Sequence, residues 1–145
     1  MNIGYVFLAL IAGMAYFVTN VPTPDEMVAN FNAAQKFYTS GAYDQALETY
    51  NDVSEVESSF MDEEAVTVEF FEMEIPIREA ATYKSGQTYF KMIQEENRMA
   101  SEAETDEEME KHSKLALEYA QNATEYYEAT EANTTLSNLR GMSKN

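Results

Sequence analysis

A chain of 145 residues with one histidine and no cysteine offers few places for chemistry to begin. Without Cys there is no thiolate nucleophile, no disulfide, no iron–sulfur cluster and no thiolate zinc site. The single imidazole, His112, is the natural candidate for a proton carrier or a metal ligand. Glu108 lies one helical turn before it, but the i−3 position is Met109, so the Glu-x-x-His spacing of helical di-iron sites is missing. There is no glycine-rich phosphate loop, no G-x-S-x-G elbow and no H-E-x-x-H pair. Nucleophile, positioned base and charge-stabilising group do not assemble. The sequence therefore predicts no catalytic residue, no cofactor and no bound metal.

Charge and aromatic rings carry the chemical character instead. Asp and Glu number 26 against 9 Lys and Arg, for a net charge of −17. That balance leaves counter-ion release on nucleic acid without a source, and an anionic bilayer surface repels it. The densest acidic run contains Glu102, Glu104, Asp106, Glu107 and Glu108. It lacks the alternating Asp/Asn ligands and central Gly of a calcium loop. It reads as a solvated loop leading into a helix, or as a surface that steers a basic partner. Ten Tyr and eight Phe are many for a small acidic protein. Neighbours such as Phe37 with Tyr38, or Tyr126 with Tyr127, cannot both face inward. Tyr38 and Tyr126 are expected to be the outward members and are candidates for protein contact. Asn122-Ala-Thr and Asn133-Thr-Thr match the glycosylation acceptor pattern, which matters only in a glycosylating secretory pathway.

The elements that must position these residues divide at Asp25, since no charged side chain precedes it. Ile3 to Val21 is almost wholly apolar and spans about 28 Å as a helix, close to the roughly 30 Å of a bilayer core. Tyr5 at one end and Tyr16 with Phe17 toward the other suit the membrane interface, and Pro22 and Pro24 stop the helix. Residues 1–21 are expected to form a single transmembrane anchor, with 22–26 as a short stiff linker. A cleavable signal cut after Ala15 is the alternative. The missing basic n-region and the apolar run through Val18 favour the anchor. Ala9 and Gly13 form a small-xxx-small pair suited to close helix packing in the membrane. With no flanking Lys or Arg, the terminal amine favours a cytoplasmic N-terminus and an acidic domain outside the cytoplasm.

The body is expected to be all-α, a helical domain over residues 27–132 with a flexible tail over 133–145. Thr23 or Asp25 caps a first helix carrying Met27, Phe31, Ala34, Phe37 and Tyr38 on one face, and Gly41 ends it. A second helix starts near Tyr43, with Tyr43, Ala46, Leu47, Tyr50 and Val53 on one stripe. Ala34, Phe37, Gly41, Tyr43, Ala46, Tyr50 and Val53 together resemble a tetratricopeptide repeat, in which small residues let two helices approach and aromatics fill the space between repeats. A degenerate second copy begins near Glu79, with Gly86 and Tyr89 at the offset of Ala34 and Phe37. Its first helix runs to about Arg98, and another resumes near Asp106, with Met109, His112, Leu115, Ala116, Tyr119, Ala123, Tyr126 and Tyr127 on its stripe.

Between the copies, residues 62–77 give conflicting signals. Val66, Val68 and Phe70 alternate like a strand, while Met61, Ala65, Val68, Phe71 and Ile75 fit a helix. A helix ending before Pro76 is preferred, because flanking helices leave no second strand for pairing. Five helices behind an anchor result. The resemblance implies protein–protein binding, so the expected role is a non-enzymatic, membrane-anchored adaptor, an accessory subunit of a membrane protein complex. A filament or lattice subunit built on the apolar helix, and an exported soluble binding protein, are the alternatives. The expected partners are protein subunits of that complex and the lipid bilayer through the N-terminal helix, a homo-oligomer is compatible with the reading, and no nucleic-acid partner is expected.

Overall fold

The computed structural model describes residues 22–56, 66–70 and 72–131. The anchor expected over residues 1–21, including Ala9 and Gly13, and the tail over 133–145 lie outside the described residues. No helix among the described residues is long and apolar enough to cross a membrane.

Among the described residues, four helices and one β-hairpin make up the body. Helix α1 (Pro24–Ser40) starts at Thr23, whose hydroxyl accepts from the Glu26 backbone N–H while the Glu26 carboxylate accepts from the Thr23 N–H, a reciprocal capping box. It ends at Gly41, where φ of 81° puts the backbone in the left-handed region that glycine tolerates. Helix α2 (Tyr43–Ser54) returns antiparallel after that two-residue turn. Strands β1 (Thr67–Phe70) and β2 (Met73–Pro76) pair antiparallel, Val68 opposite Ile75 and Phe70 opposite Met73. Helices α3 (Ile77–Glu102) and α4 (Asp106–Glu131) form a second, longer hairpin, and α3 packs against both α2 and α4. The mostly helical architecture agrees with the all-α expectation.

The β-hairpin corrects that expectation at one place: residues 67–70 and 73–76 are two strands, not the tail of a helix, and the described body has four helices rather than five. The partner thought to be missing lies six residues further along the same segment. Val68 and Phe70 on β1, and Met73 and Ile75 on β2, turn toward the helices, while Thr67, Glu69 and Glu74 face solvent. That alternation has the period of two that a helix cannot satisfy. A two-stranded hairpin is marginal alone. Here Phe70 and Ile75 enter one core with Met27, Phe31, Ala34, Ala46, Tyr50, Val53, Ile77, Ala80 and Ala81, so the hairpin covers an end of the helical array that two helical hairpins leave open.

The small and aromatic positions read from the sequence do the packing expected of them. Ala34 and Ala46 are fully buried where α1 meets α2, Tyr50 and Val53 fill the core behind them, and Phe37 packs at its margin. Gly86 is buried against α4, where an added Cβ would stand 3.2 Å from the Tyr127 ring. Tyr89 lies half-buried between Tyr119 and Tyr126, with ring centroids at 6.0 and 5.7 Å.

Candidate binding cleft

The turn of the first helical hairpin sits against the middle of the second, and a small cleft opens where they meet. Its lining is Gly41, Tyr43, Asp44, Met92, Glu95, Glu96 and Tyr119, and its volume is about 140 Å³. Each element brings its residues for a local reason. Gly41 ends α1 and lets the chain turn at once, which places Tyr43 and Asp44 in the first turn of α2. Asp44 there also complements the positive end of that helix. Met92, Glu95 and Glu96 occupy the middle of α3, where i, i+3 and i+4 share a face. Tyr119 comes from the apolar stripe of α4.

The walls are braced from behind. Tyr43 meets the Tyr38 ring edge-on at 5.9 Å, and Tyr119 packs on Tyr89 at 6.0 Å. Met92 forms a buried apolar floor. On the polar side, Glu96 Oε2 accepts from His112 Nδ1 at 2.6 Å, with both side chains largely covered. Glu95 is engaged outward by Arg98 at 2.6 Å, the guanidinium bridging on to Glu102. That contact holds the Glu95 carboxyl below the usual carboxylate range. Asp44 makes no hydrogen bond or ion pair among the described residues, and no Lys or Arg lines the cleft. The field of the acids is felt at Tyr119: desolvation first, then the charges of Glu96 and Asp44, push its hydroxyl above the ordinary tyrosine range.

Other expected contact residues fall elsewhere. Tyr38 and Tyr126 are not outward, which corrects their assignment as exposed contacts. Tyr38 packs on the core margin, with the Lys84 ammonium 5.1 Å from its ring centre. The Tyr126 hydroxyl donates to Asn51 Oδ1 at 2.8 Å across the α2–α4 junction. Both pack inward because each hairpin lies against further structure on the flank where the sequence suggested solvent. Glu102, Glu104, Asp106, Glu107 and Glu108 are exposed around the α3–α4 connection. Thr105 caps α4 by accepting from the Glu108 N–H, and the acids beside it complement the helix N-terminus. Among the described residues no group of three or more His, Asp and Glu is arranged to hold a metal ion. Asn122 lies half-buried within α4, and Asn133 lies outside the described residues.

Sequence reasoning found Gly41 and Tyr43 as packing positions and Tyr119 as a stripe residue. It missed Asp44, Met92, Glu95 and Glu96 as members of one site. Their only advance signal was an acidic side chain directly after the turn aromatic. The chain matches no protein-family profile, no curated protein and no solved structure.

Proposed function

We propose that this protein is a non-enzymatic adaptor that holds another protein through the cleft between its two helical hairpins. The observation that carries this reading is the cleft itself: a concave site with braced aromatic walls, an apolar floor and an acidic rim. Such surfaces supply contact area at low entropic cost, because the rings are already fixed. A volume of about 140 Å³ is small beside the roughly 300–1,000 Å³ of sites for small-molecule ligands, and suits one side chain of a larger partner. The tetratricopeptide-like spacing of small and aromatic residues supports the same role, as does the apolar stretch over 3–21, which would anchor the adaptor in a membrane and raise its local concentration beside a membrane complex.

The test is gentle detergent extraction of the C-terminally tagged full chain from its native membranes, beside an otherwise identical Asp44→Arg variant. The adaptor reading expects a foreign polypeptide in fixed ratio with the wild-type chain and its loss from the variant. A wild-type chain that elutes alone, or only with copies of itself, would contradict the reading. The second outcome would favour self-assembly, for which the exposed Phe90 and Leu117 offer apolar surface.

A further inference from the structure

Three features lie outside the packing already described. One is Lys84, half-buried with its ammonium 5.1 Å from the Tyr38 ring centre and 5.4 Å from that of Phe70. It ties α3 to α1 and the β-hairpin, and as a cation held on two ring faces it has a structural use already. Another is the set of exposed apolar side chains Phe90, Met109 and Leu117 on the second hairpin, where nothing identifies an occupant. The third is the chemistry of the cleft, which specifies what it holds.

Resting on the adaptor reading, we infer that the cleft receives the cationic head of one Arg or Lys side chain from a basic segment of the partner. Cleft and cation are complementary in three ways. Asp44 and Glu96 sit on two different helices around one cavity, and no basic residue lines it, so a cation is the one charged group it lacks. Asp44 is without a partner among the described residues. Only one oxygen of Glu96 is taken by His112, which leaves the other to accept.

The aromatic walls add selectivity of a second kind. A guanidinium or ammonium stacks favourably on the face of a tyrosine ring, and Tyr43 and Tyr119 are each held in place by another tyrosine. The third is shape. Among the described residues no three carboxylate or imidazole groups gather as a metal site requires, and the small concave cleft fits the flat or compact head of an organic cation. Met92 beneath it suits the methylene stem of such a side chain. The wider charge of −17 draws a basic segment toward the molecule, and the cleft decides where its side chain seats.

The experiment titrates the full-length, isotope-labelled chain with four blocked peptides of Gly and Ser that differ at one central position, which is Arg, Lys, citrulline or norleucine. The inference expects the Arg and Lys peptides to shift the backbone amides of Gly41, Asp44 and Glu96, with the citrulline and norleucine peptides leaving them in place. Combining Asp44→Asn with Glu96→Gln weakens the Arg peptide by about tenfold, and Tyr119→Leu weakens it while Tyr119→Phe does not. The matched control, Glu104→Gln with Glu107→Gln, removes the same charge from the α3–α4 connection and leaves the affinity unchanged. Equal shifts from the citrulline peptide, or equal weakening by the control pair, would overturn the inference. So would a natural partner that the cleft holds after its basic residues are neutralised, an outcome that leaves the adaptor reading intact. Arg-dependent shifts in a chain that co-purifies with no other protein would support the cation site and remove the adaptor reading.

Discussion

Asn51 shows how much of this structure hangs on single side chains. From the middle of α2 its Oδ1 accepts from the Ser85 hydroxyl of α3 at 2.9 Å and from the Tyr126 hydroxyl of α4 at 2.8 Å. Three helices therefore meet on one oxygen, and Ser85 is fully buried. Removing the amide leaves two covered hydroxyls without an acceptor, at a cost set by their desolvation rather than by an average hydrogen bond. Asn51→Ala is expected to lower stability by about 2 kcal/mol, read from the midpoint of a denaturant titration. An unchanged midpoint would show that water replaces the amide there. The same scale explains a failure of prediction. The expectation that one of two adjacent aromatics must face solvent fails because both find cover: Phe37 and Tyr38 both pack on the core margin, and Tyr127 meets Tyr83 while Tyr126 bonds to Asn51. Tyr38 and Tyr126 are engaged for that reason.

At the scale of elements, the first helical hairpin was legible in its buried face and its turn, because those signals are local, but not in its start: α1 begins at Pro24, inside the 22–26 stretch expected to be a linker. The three-and-four spacing of Met27, Phe31 and Ala34 marks the buried face and Gly41 the end, whereas the sequence left the cap open between Thr23 and Asp25 and the Thr23–Glu26 capping box fixes it. The β-hairpin was not, since its four-residue strands also fit a helical stripe and nothing local arbitrates between the two periods. Only burial decides it: Ile75 is fully covered and packs in the shared core. Ile75→Ala should accordingly cost about 3 kcal/mol and shift the helical circular-dichroism transition to lower denaturant. A helical transition that stays in place would mark the hairpin as a detachable loop. Gly86 tests the second hairpin. Any side chain larger than Ala must displace the Tyr127 ring already 3.2 Å from its Cβ position, so Gly86→Val is expected to destabilise by about 1–3 kcal/mol in thermal unfolding. An equal or higher melting temperature would place α4 further from α3 than described.

For the whole molecule, the tyrosines set the behaviour at high pH. Tyr38, Tyr50, Tyr89, Tyr119 and Tyr126 all titrate above the ordinary tyrosine value, chiefly because burial disfavours the phenolate. An unfolded chain then loses those protons first, so the stability they contribute is present below about pH 10 and is lost as pH rises through the raised values. Lys84 opposes this, since burial lowers its value and the native state sheds that proton first, but it is one group against five. Helix content and tyrosinate absorbance should change together above about pH 10. Tyrosinate absorbance complete before any helix is lost would contradict the burial of these rings. The cleft belongs to this scale as well, which is why it was illegible in the sequence. Tyr43 with Asp44, Met92 with Glu96, and Tyr119 lie in three separate stretches, and no spacing rule joins them until the hairpins pack.

The adaptor reading stands or falls on whether the cleft touches another protein. The most direct measurement places a photo-activated benzophenone side chain at position 43, and separately at 117, in the full chain inside its native cells, and weighs the adducts after irradiation. The account predicts a foreign polypeptide attached from the Tyr43 position, with that adduct abolished by the additional change Asp44→Arg, and none from the Leu117 position. Adducts from position 117 alone, or adducts at twice the mass of this chain from both positions, would contradict it.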